Sequence, residues 1–188
     1  MKKNLVLLGL AASLSTLLLG DNNPKLKVRS VNIKGGHSLE SSELLSVIRT
    51  NPSSFFKNEY FDRRLAKFDA ISLKTYYASR GFLSSSVKDS VVVQDGFVDI
   101  YFNINEGNQV YLKQAKVLDN FKLAEKKILE ILSLKINDPY NPVDLNKNLP
   151  QLKNEYQRFG KLFTKINVYE SVEDSAEVVD DIDVEEMV

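Results

Sequence analysis

Two glutamates at matching places suggest the first possible chemistry. Glu106 and Glu186 each follow an alternating apolar run, and they lie 80 residues apart. Two carboxylates can act as acid and base only if they flank one bond within roughly 5 to 10 Å. The two runs belong to separate repeated modules, so we expect solvated strand ends at both positions and no catalytic pair.

The chain holds few other residues that could carry out catalysis or bind a metal. It has no cysteine and a single histidine, His37, in the turn-like stretch G35-G-H-S. Thiolate metal sites, two-histidine metal sites and disulfides are therefore excluded. No nucleophile-base set and no phosphate loop appears. We predict no catalytic residue, no cofactor and no metal, and an enzyme is the least favoured class.

The charge balance argues against a polyanion as partner. Lysine plus arginine and aspartate plus glutamate each number 25, so no overall field attracts nucleic acid, and none is expected to bind. Residues 170–188 carry nine acidic and no basic side chains. We interpret this stretch as a solvated sheet face, with docking of a basic partner as the alternative.

The N-terminal segment indicates export. Lys2 and Lys3 precede an apolar, small-residue run that ends at Gly20, which is the order of a secretory signal peptide. We predict a signal peptide over 1–20 and a polar linker over 21–27. The alternative is a short uncleaved membrane anchor. Either interpretation places the remaining chain outside the cytoplasm.

The segment that follows predicts five elements. Residues 28–36 alternate apolar and polar and end at paired glycines, including Gly35. A short helix follows, with Ser38 or Ser41 as its N-cap, and a longer helix runs from Arg63 until Gly81 stops it. Asp95-Gly96 is a strong hairpin signal. Placing it in the turn pairs the strands so that one face is apolar except for Asp89.

The same order begins again after residue 108. A strand, a short helix, a long helix starting near Pro142 and two closing strands are predicted, although Pro150 should kink the long helix. A shift of 79 or 80 residues superposes the two copies. The residues that align in this way are Leu65 with Leu145, Tyr77 with Tyr156, Gly81 with Gly160, Val98 with Val178, Phe102 with Ile182 and Ile104 with Val184.

Several aromatic side chains could bind or pack. We interpret Tyr77 and Tyr156 as packing residues with their hydroxyl groups at the surface. Phe55, Phe56 and Tyr60 could form an exposed peptide-binding patch with Phe61. Core packing is the favoured interpretation, because a small three-stranded unit needs large side chains to bury enough area.

This doubled pattern resembles the POTRA domains of outer-membrane barrel-assembly proteins, BamA-like and TamA-like, and of two-partner secretion transporters. The motifs that carry the resemblance are V31-N-I-K-G-G, Y77-A-S-R-G-F and F102-N-I-N-E-G, with V117-L-D-N, Y156-Q-R-F-G and V184-E-E-M in the second copy. The second copy departs by lacking the glycine after its first strand, and Met187 stands where Gly107 closes the first copy.

The resemblance implies an α+β fold of tandem β-α-α-β-β units, each a three-stranded mixed sheet with two helices on one face. We place these units at 28–107 and 108–188. We favour a fragment or a truncated reading frame that cuts the second unit short, and the alternative is a complete free-standing protein. The structural residues are expected to be Gly35, Tyr77, Gly81, Asp95, Gly96, Gly107, Tyr156 and Gly160.

The resemblance also implies that the second strand of each unit is a sheet edge, about 82–94 and 162–169. An unpaired edge can accept a strand from another chain. The binding residues expected there are Phe82, Ser84, Ser86, Lys88, Ser90, Val92, Phe163 and Lys165.

The partners implied are unfolded outer-membrane protein segments, envelope assembly proteins or lipoproteins, and a membrane β-barrel on this chain or another. The location implied is the periplasm, in association with the outer membrane. The alternative class is an envelope scaffold or adaptor that binds folded partners.

Overall fold

A computed structural model describes residues 25–118, 122–173 and 177–186. The chain forms the two five-element units expected, in the order strand, helix, helix, strand, strand. The elements of the first unit are β1 (Lys27–Lys34), α1 (Ser41–Val47), α2 (Arg63–Ser79), β2 (Ser86–Gln94) and β3 (Phe97–Asn105). Those of the second are β4 (Tyr111–Leu118), α3 (Glu125–Ile131), α4 (Pro142–Arg158), β5 (Thr164–Glu173) and β6 (Glu177–Glu186).

Each unit contains one mixed sheet, so the predicted α+β class is confirmed. In the first sheet β3 is central, parallel to β1 and antiparallel to β2. In the second, β6 is central, parallel to β4 and antiparallel to β5. The last strand of each unit is therefore the central one. The strands β1 and β2 form the edges of the first sheet, and β4 and β5 form the edges of the second.

The β2–β3 hairpin has the predicted register. Val93 pairs with Val98, Val91 with Ile100, and Val87 with Ile104. Asp95 and Gly96 form the turn with φ of 53° and 79°, the left-handed conformation that this dipeptide tolerates. Two details differ from expectation. Val93 is 56% exposed although it lies on the face expected to be apolar, and Asp99 is buried on the opposite face, which was expected to be wet.

Two separate apolar cores hold the units. In each, residues of the central strand pack beneath the long helix and a buried tyrosine near that helix's end. The central strand, the long helix and the tyrosine contribute Val98, Ile100, Phe102, Leu73 and Tyr77 in the first unit, and Ile182, Val184, Leu145, Leu152 and Tyr156 in the second.

Some local expectations were wrong. Glu40 occupies the N-cap of α1 without a side-chain hydrogen bond, so neither Ser38 nor Ser41 caps that helix. The helix α4 begins near Pro142 as expected and runs through Pro150 to Arg158, and the kink expected at Pro150 stays a prediction. The predicted signal peptide and most of the linker lie outside the described residues, as does Met187. In the described ranges, no helix has the length and apolar character needed to cross a bilayer.

Candidate functional site: the free sheet edges

One edge of the first sheet is already partly covered. The backbone N–H of Val28 in β1 donates to Glu59 O at 2.9 Å, and the carbonyl of Val28 accepts from Ser53 N at 2.8 Å. Phe61 N donates to Leu26 O just before the strand, at 2.8 Å. The loop between α1 and α2 therefore occupies the first half of this edge.

The corresponding edge of the second sheet is covered in the same way. Leu112 N in β4 donates to Asp138 O at 3.0 Å, and Asn137 N donates to Leu112 O at 2.8 Å. Tyr140 N also donates to Val110 O, at 2.9 Å. Both units thus use the segment before their long helix to close the start of the first strand.

The opposite edges, β2 and β5, are open over the part of the chain that is described. Neither strand has a backbone partner there other than its hairpin neighbour. The row of outward N–H and C=O groups on such an edge is a template for strand addition.

The hairpin turn determines which groups of β2 point outwards. A two-residue turn pairs the carbonyl of Gln94 with the N–H of Phe97, so this pair is a hydrogen-bonded one. Hydrogen-bonded and non-hydrogen-bonded pairs then alternate along the hairpin. We infer that Ser86, Lys88, Ser90 and Val92 direct their backbone groups to β3. The outward groups are then those of Val87, Asp89, Val91 and Val93.

The expected binding residues lie at different places along these edges. The strand β2 begins later than expected, because Phe82 is buried in the core and Ser84 lies in the turn that follows α2. Phe163 is exposed in the turn before β5, and Lys165 lies within β5. Ser90 and Lys88 lie on β2, where Asn103 Nδ2 donates to Ser90 Oγ at 3.3 Å.

The surroundings of the two open edges differ. At β2, Arg63 of α2 forms an ion pair with Asp89 at 2.6 Å and ties the helix to the strand. At β5, a groove of about 440 Å³ runs between the strand and α4. The groove is lined by Asn146, Leu149, Pro150, Lys153, Thr164, Lys165 and Ile166.

A partly exposed hydrogen-bond cluster fixes the end of the first unit. The Glu106 carboxylate accepts from Tyr77 OH at 3.0 Å, from Ser38 Oγ at 2.8 Å and from the backbone N–H groups of His37 and Ser38. Tyr77 and Tyr156 are both fully buried, so the predicted surface hydroxyl groups were wrong, whereas Glu106 remains partly exposed at its strand end. The cluster joins the ends of β1, α2 and β3 and leaves Glu106 occupied by structural contacts.

Both ionisable groups of this cluster are shifted. Burial alone would raise the pKa of Glu106, but the hydrogen bonds from Ser38, Tyr77 and His37 together lower it. Burial, and then the bond to Glu106, raise the pKa of Tyr77 well above its usual value. In the second unit, burial raises the pKa of Tyr156 to about 12.

A second polar cluster lies on the other face of the first sheet. Arg29 Nε donates to Asp99 Oδ1 at 3.0 Å, and Ser30 Oγ donates to the same oxygen at 2.7 Å. The hydrogen bond from Arg29, followed by that from Ser30, lowers the pKa of Asp99 to about 2. Within the described ranges no group of three potential metal ligands occurs.

Sequence reasoning missed two contributors to these clusters. A Cβ at Gly36 would collide with the Tyr77 hydroxyl, so the second glycine of the pair makes room for the cluster. Ser38, expected as a helix cap, instead binds Glu106. The G35-G-H-S run was the available signal, since paired glycines before a polar residue indicate close backbone approach.

The aromatic group was interpreted wrongly in part. Phe61 packs against the first core, but Phe55 and Phe56 are 97% and 94% exposed, and Tyr60 is half exposed. The local composition indicated large apolar side chains, but it did not indicate whether the loop directs them to the core or to solvent.

The fold defines the chain as a tandem α+β module. In each unit the sheet edge formed by the first strand is partly covered, and the edge formed by the second strand is open over the described residues. The POTRA family, described as surface antigen variable number repeat, matches residues 26–107 and again residues 110–186. The chain therefore belongs to the POTRA family.

Known proteins resemble this chain in sequence and in fold. The outer membrane protein assembly factor BamA of Buchnera aphidicola is 26% identical to it over 153 residues. That match covers 74% of this chain and 24% of the relative, so the chain spans about a quarter of that curated protein.

Solved structures of POTRA domains share the fold. POTRA domains 3–5 of Haemophilus influenzae BamA superpose with a TM-score of 0.65 at 22% identity, covering 91% of this chain and 70% of that one. POTRA domains 1–2 of Omp85 from Anabaena superpose with a TM-score of 0.52 at 18% identity, covering 88% and 98%.

Proposed function

We propose that this chain is a periplasmic POTRA module that supports the assembly of outer-membrane β-barrel proteins. It binds unfolded segments of those proteins by adding them as a strand to β2 or β5. The observation that carries the proposal is the asymmetry of each sheet. One edge is partly closed by the chain's own loop, and the other is open in the part of the structure that is described.

Backbone pairing suits a binder of many clients. Barrel strands share an alternating pattern and an extended backbone, but they differ in side chains. The outward N–H and C=O groups of an edge strand do not distinguish side chains, so affinity comes from the main chain. The similarity to an outer membrane protein assembly factor supports the same role.

The test uses proline at two adjacent residues of β2. At Val93 proline removes an outward N–H from an exposed position, so we expect weaker binding of a synthetic barrel-strand peptide and a retained fold. At Val92 proline removes an inward ladder bond, so we expect damage to the sheet itself. Val93→Ala is the matched control, because it alters the side chain and keeps the N–H.

Peptide affinity, measured with circular dichroism on each variant, separates the outcomes. A folded Val93→Pro protein with full peptide affinity would remove β2 as the site. Val168 of β5 lies opposite Ile182 as the outward residue Asp89 of β2 lies opposite Phe102, so we infer that its backbone N–H also points outwards. If Val168→Pro also bound fully while folded, strand addition would be wrong for both edges. Weight would then move to an adaptor that binds folded envelope proteins.

A further inference from the structure

Phe55 and Phe56 form an exposed aromatic pair that takes no part in the two apolar cores or in the sheet edges of the described part of the chain. They are the most exposed of the large apolar side chains whose burial is described, at 97% and 94%. Their rings meet edge to face with centroids 5.1 Å apart. Neither residue belongs to an open strand edge, so strand addition does not account for them.

The loop that carries the pair, residues 53–61, is held in place. Ser53 Oγ donates to Glu59 O at 3.0 Å and accepts from Glu59 N at 2.9 Å. Ser54 N donates to Lys57 O at 2.8 Å across the tip. Bonds to Leu26 and Val28 fix its base to β1. The pair is therefore presented by an ordered turn, which lowers the entropy cost of binding through it.

Positive charge surrounds this aromatic loop. Lys25 Nζ lies 5.8 Å from the centroid of the Tyr60 ring, and Lys27 pairs with Tyr60 through an isolated backbone β-bridge. Arg63 and Arg64 follow the loop directly. Two of the nearby charges are paired with acids, Lys57 with Glu59 and Arg63 with Asp89, and the Asp62 carboxylate accepts from the first turn of α2. The cationic rim therefore consists of Lys25, Lys27 and Arg64. The loop thus combines exposed rings with a cationic rim.

In the form of the chain that keeps its N-terminal segment, which is the alternative to a cleaved signal peptide, that segment holds the start of the first unit close to a bilayer. The apolar run of the N-terminal segment ends at Leu19, and residues 20–24 separate it from Lys25. Five residues extend at most about 18 Å. While that run lies in a membrane, the linker keeps Lys25, which lies over the Tyr60 ring of the loop, near the surface.

We propose that the aromatic loop is a membrane-contact site that inserts Phe55 and Phe56 into the surface of an anionic bilayer. Aromatic rings enter the boundary between headgroups and acyl chains, while lysine and arginine remain with the anionic headgroups. Rings and charges lie together on one loop, which is the arrangement this mode of binding requires. The site is independent of strand addition at β2 and β5.

The absence of tryptophan from the chain allows a direct test. Phe56→Trp in the full chain places a single fluorophore at the tip of the loop. Phe163→Trp places one at an exposed phenylalanine of the second unit and serves as the matched control. Each protein is mixed with vesicles of phosphatidylglycerol and phosphatidylethanolamine, with vesicles of phosphatidylcholine, and with vesicles containing brominated lipid.

We expect the Phe56→Trp variant to emit at shorter wavelength and to be quenched by brominated anionic vesicles, whereas the Phe163→Trp control stays solvent-like. Lys25→Gln and Lys27→Gln should each reduce loop insertion about fivefold. Emission that is unchanged with every vesicle overturns the proposal and leaves an acidic protein surface as the partner. Equal shifts in both variants also overturn it, because the apolar N-terminal run alone would then explain binding.

Discussion

The two units end their long helices with the same glycine in different surroundings. Gly81 and Gly160 both take the left-handed conformation, with φ of 88° and 78°. A Cβ at Gly81 would lie 2.7 Å from the carbonyl of Val110, where the second unit begins, but a Cβ at Gly160 would meet no atom of the described residues within 4 Å. A glycine with positive φ thus ends the long helix in both units. In the first unit only, the missing Cβ also lets the start of the second unit approach the helix end.

The junction itself depends on the backbone around Gly81. Val110 N donates to Gly81 O at 2.8 Å, and Gln109 Nε2 donates to Arg80 O at 2.9 Å. The first unit is therefore fastened to its neighbour through the end of α2. This difference between the units leads to four comparisons by mutation.

The largest effect is expected at the two glycines. Gly81→Ala combines left-handed strain with overpacking against Val110, so it should destabilise by about 3 kcal/mol. Gly160→Ala carries the strain alone and should cost about 1–2 kcal/mol. Urea unfolding of both variants measures the difference. Equal losses would show that the contact at Val110 does not constrain Gly81.

The next effect concerns the cluster at Glu106. Tyr77→Phe removes a hydrogen bond to a partly buried carboxylate, so we expect a loss of about 1–2 kcal/mol in unfolding free energy. Tyr76→Phe is the matched control, because the bonds of the neighbouring hydroxyl are exposed, one donated to Glu43 at 3.2 Å and one accepted from Arg80 Nη2 at 2.7 Å. The control should change stability by less than about 0.5 kcal/mol. Identical effects for the two variants would contradict the structural role of Tyr77.

A pH dependence should follow from Asp99. Its pKa falls from 3.8 to about 2 on folding, so its stabilising contribution is present above about pH 4 and is lost as the pH falls towards 2. Asp99→Asn should therefore lose less stability than wild type between these pH values. Thermal melts across this range provide the measurement. Parallel acid curves for the two proteins would argue against the Arg29 contact.

The smallest effect is expected where the helix meets the open edge. The second unit has Val143 and Val168 at the places of Arg63 and Asp89, with Val168 opposite Ile182 as Asp89 is opposite Phe102. Arg63→Val with Asp89→Val copies that arrangement and should alter stability by less than about 1 kcal/mol. Arg63→Val alone should cost more, because Asp89 is largely buried. Chemical unfolding of all three proteins tests this order.

The parts of the fold that could be predicted depend on local preferences. Asp95-Gly96 determined the hairpin register because few residue pairs accept two positive φ values. Tyr77 and Gly81 indicated a helix end for a similar reason. The same turn rule also gives the direction of the backbone groups on β2.

The parts that could not be predicted depend on distant contacts. Tyr77 meets Glu106 because three elements converge, and no sequence period records that contact. The direction of Phe55 and Phe56 depends on how Ser53 and Glu59 close the loop. The base of this loop pairs with β1 through its backbone, and the two rings at its tip turn to solvent. Composition alone favoured burial.

Hydrogen exchange at the amides of β2 tests the central claim most directly. In the free protein, the outward N–H groups of Val87, Asp89, Val91 and Val93 should exchange fast, and those of Ser90 and Val92 should exchange slowly. Adding a barrel-strand peptide should slow the outward set and leave the inward set unchanged. Slow exchange of the outward groups before any peptide is added, or protection confined to residues away from both β2 and β5, would contradict strand addition at an open edge.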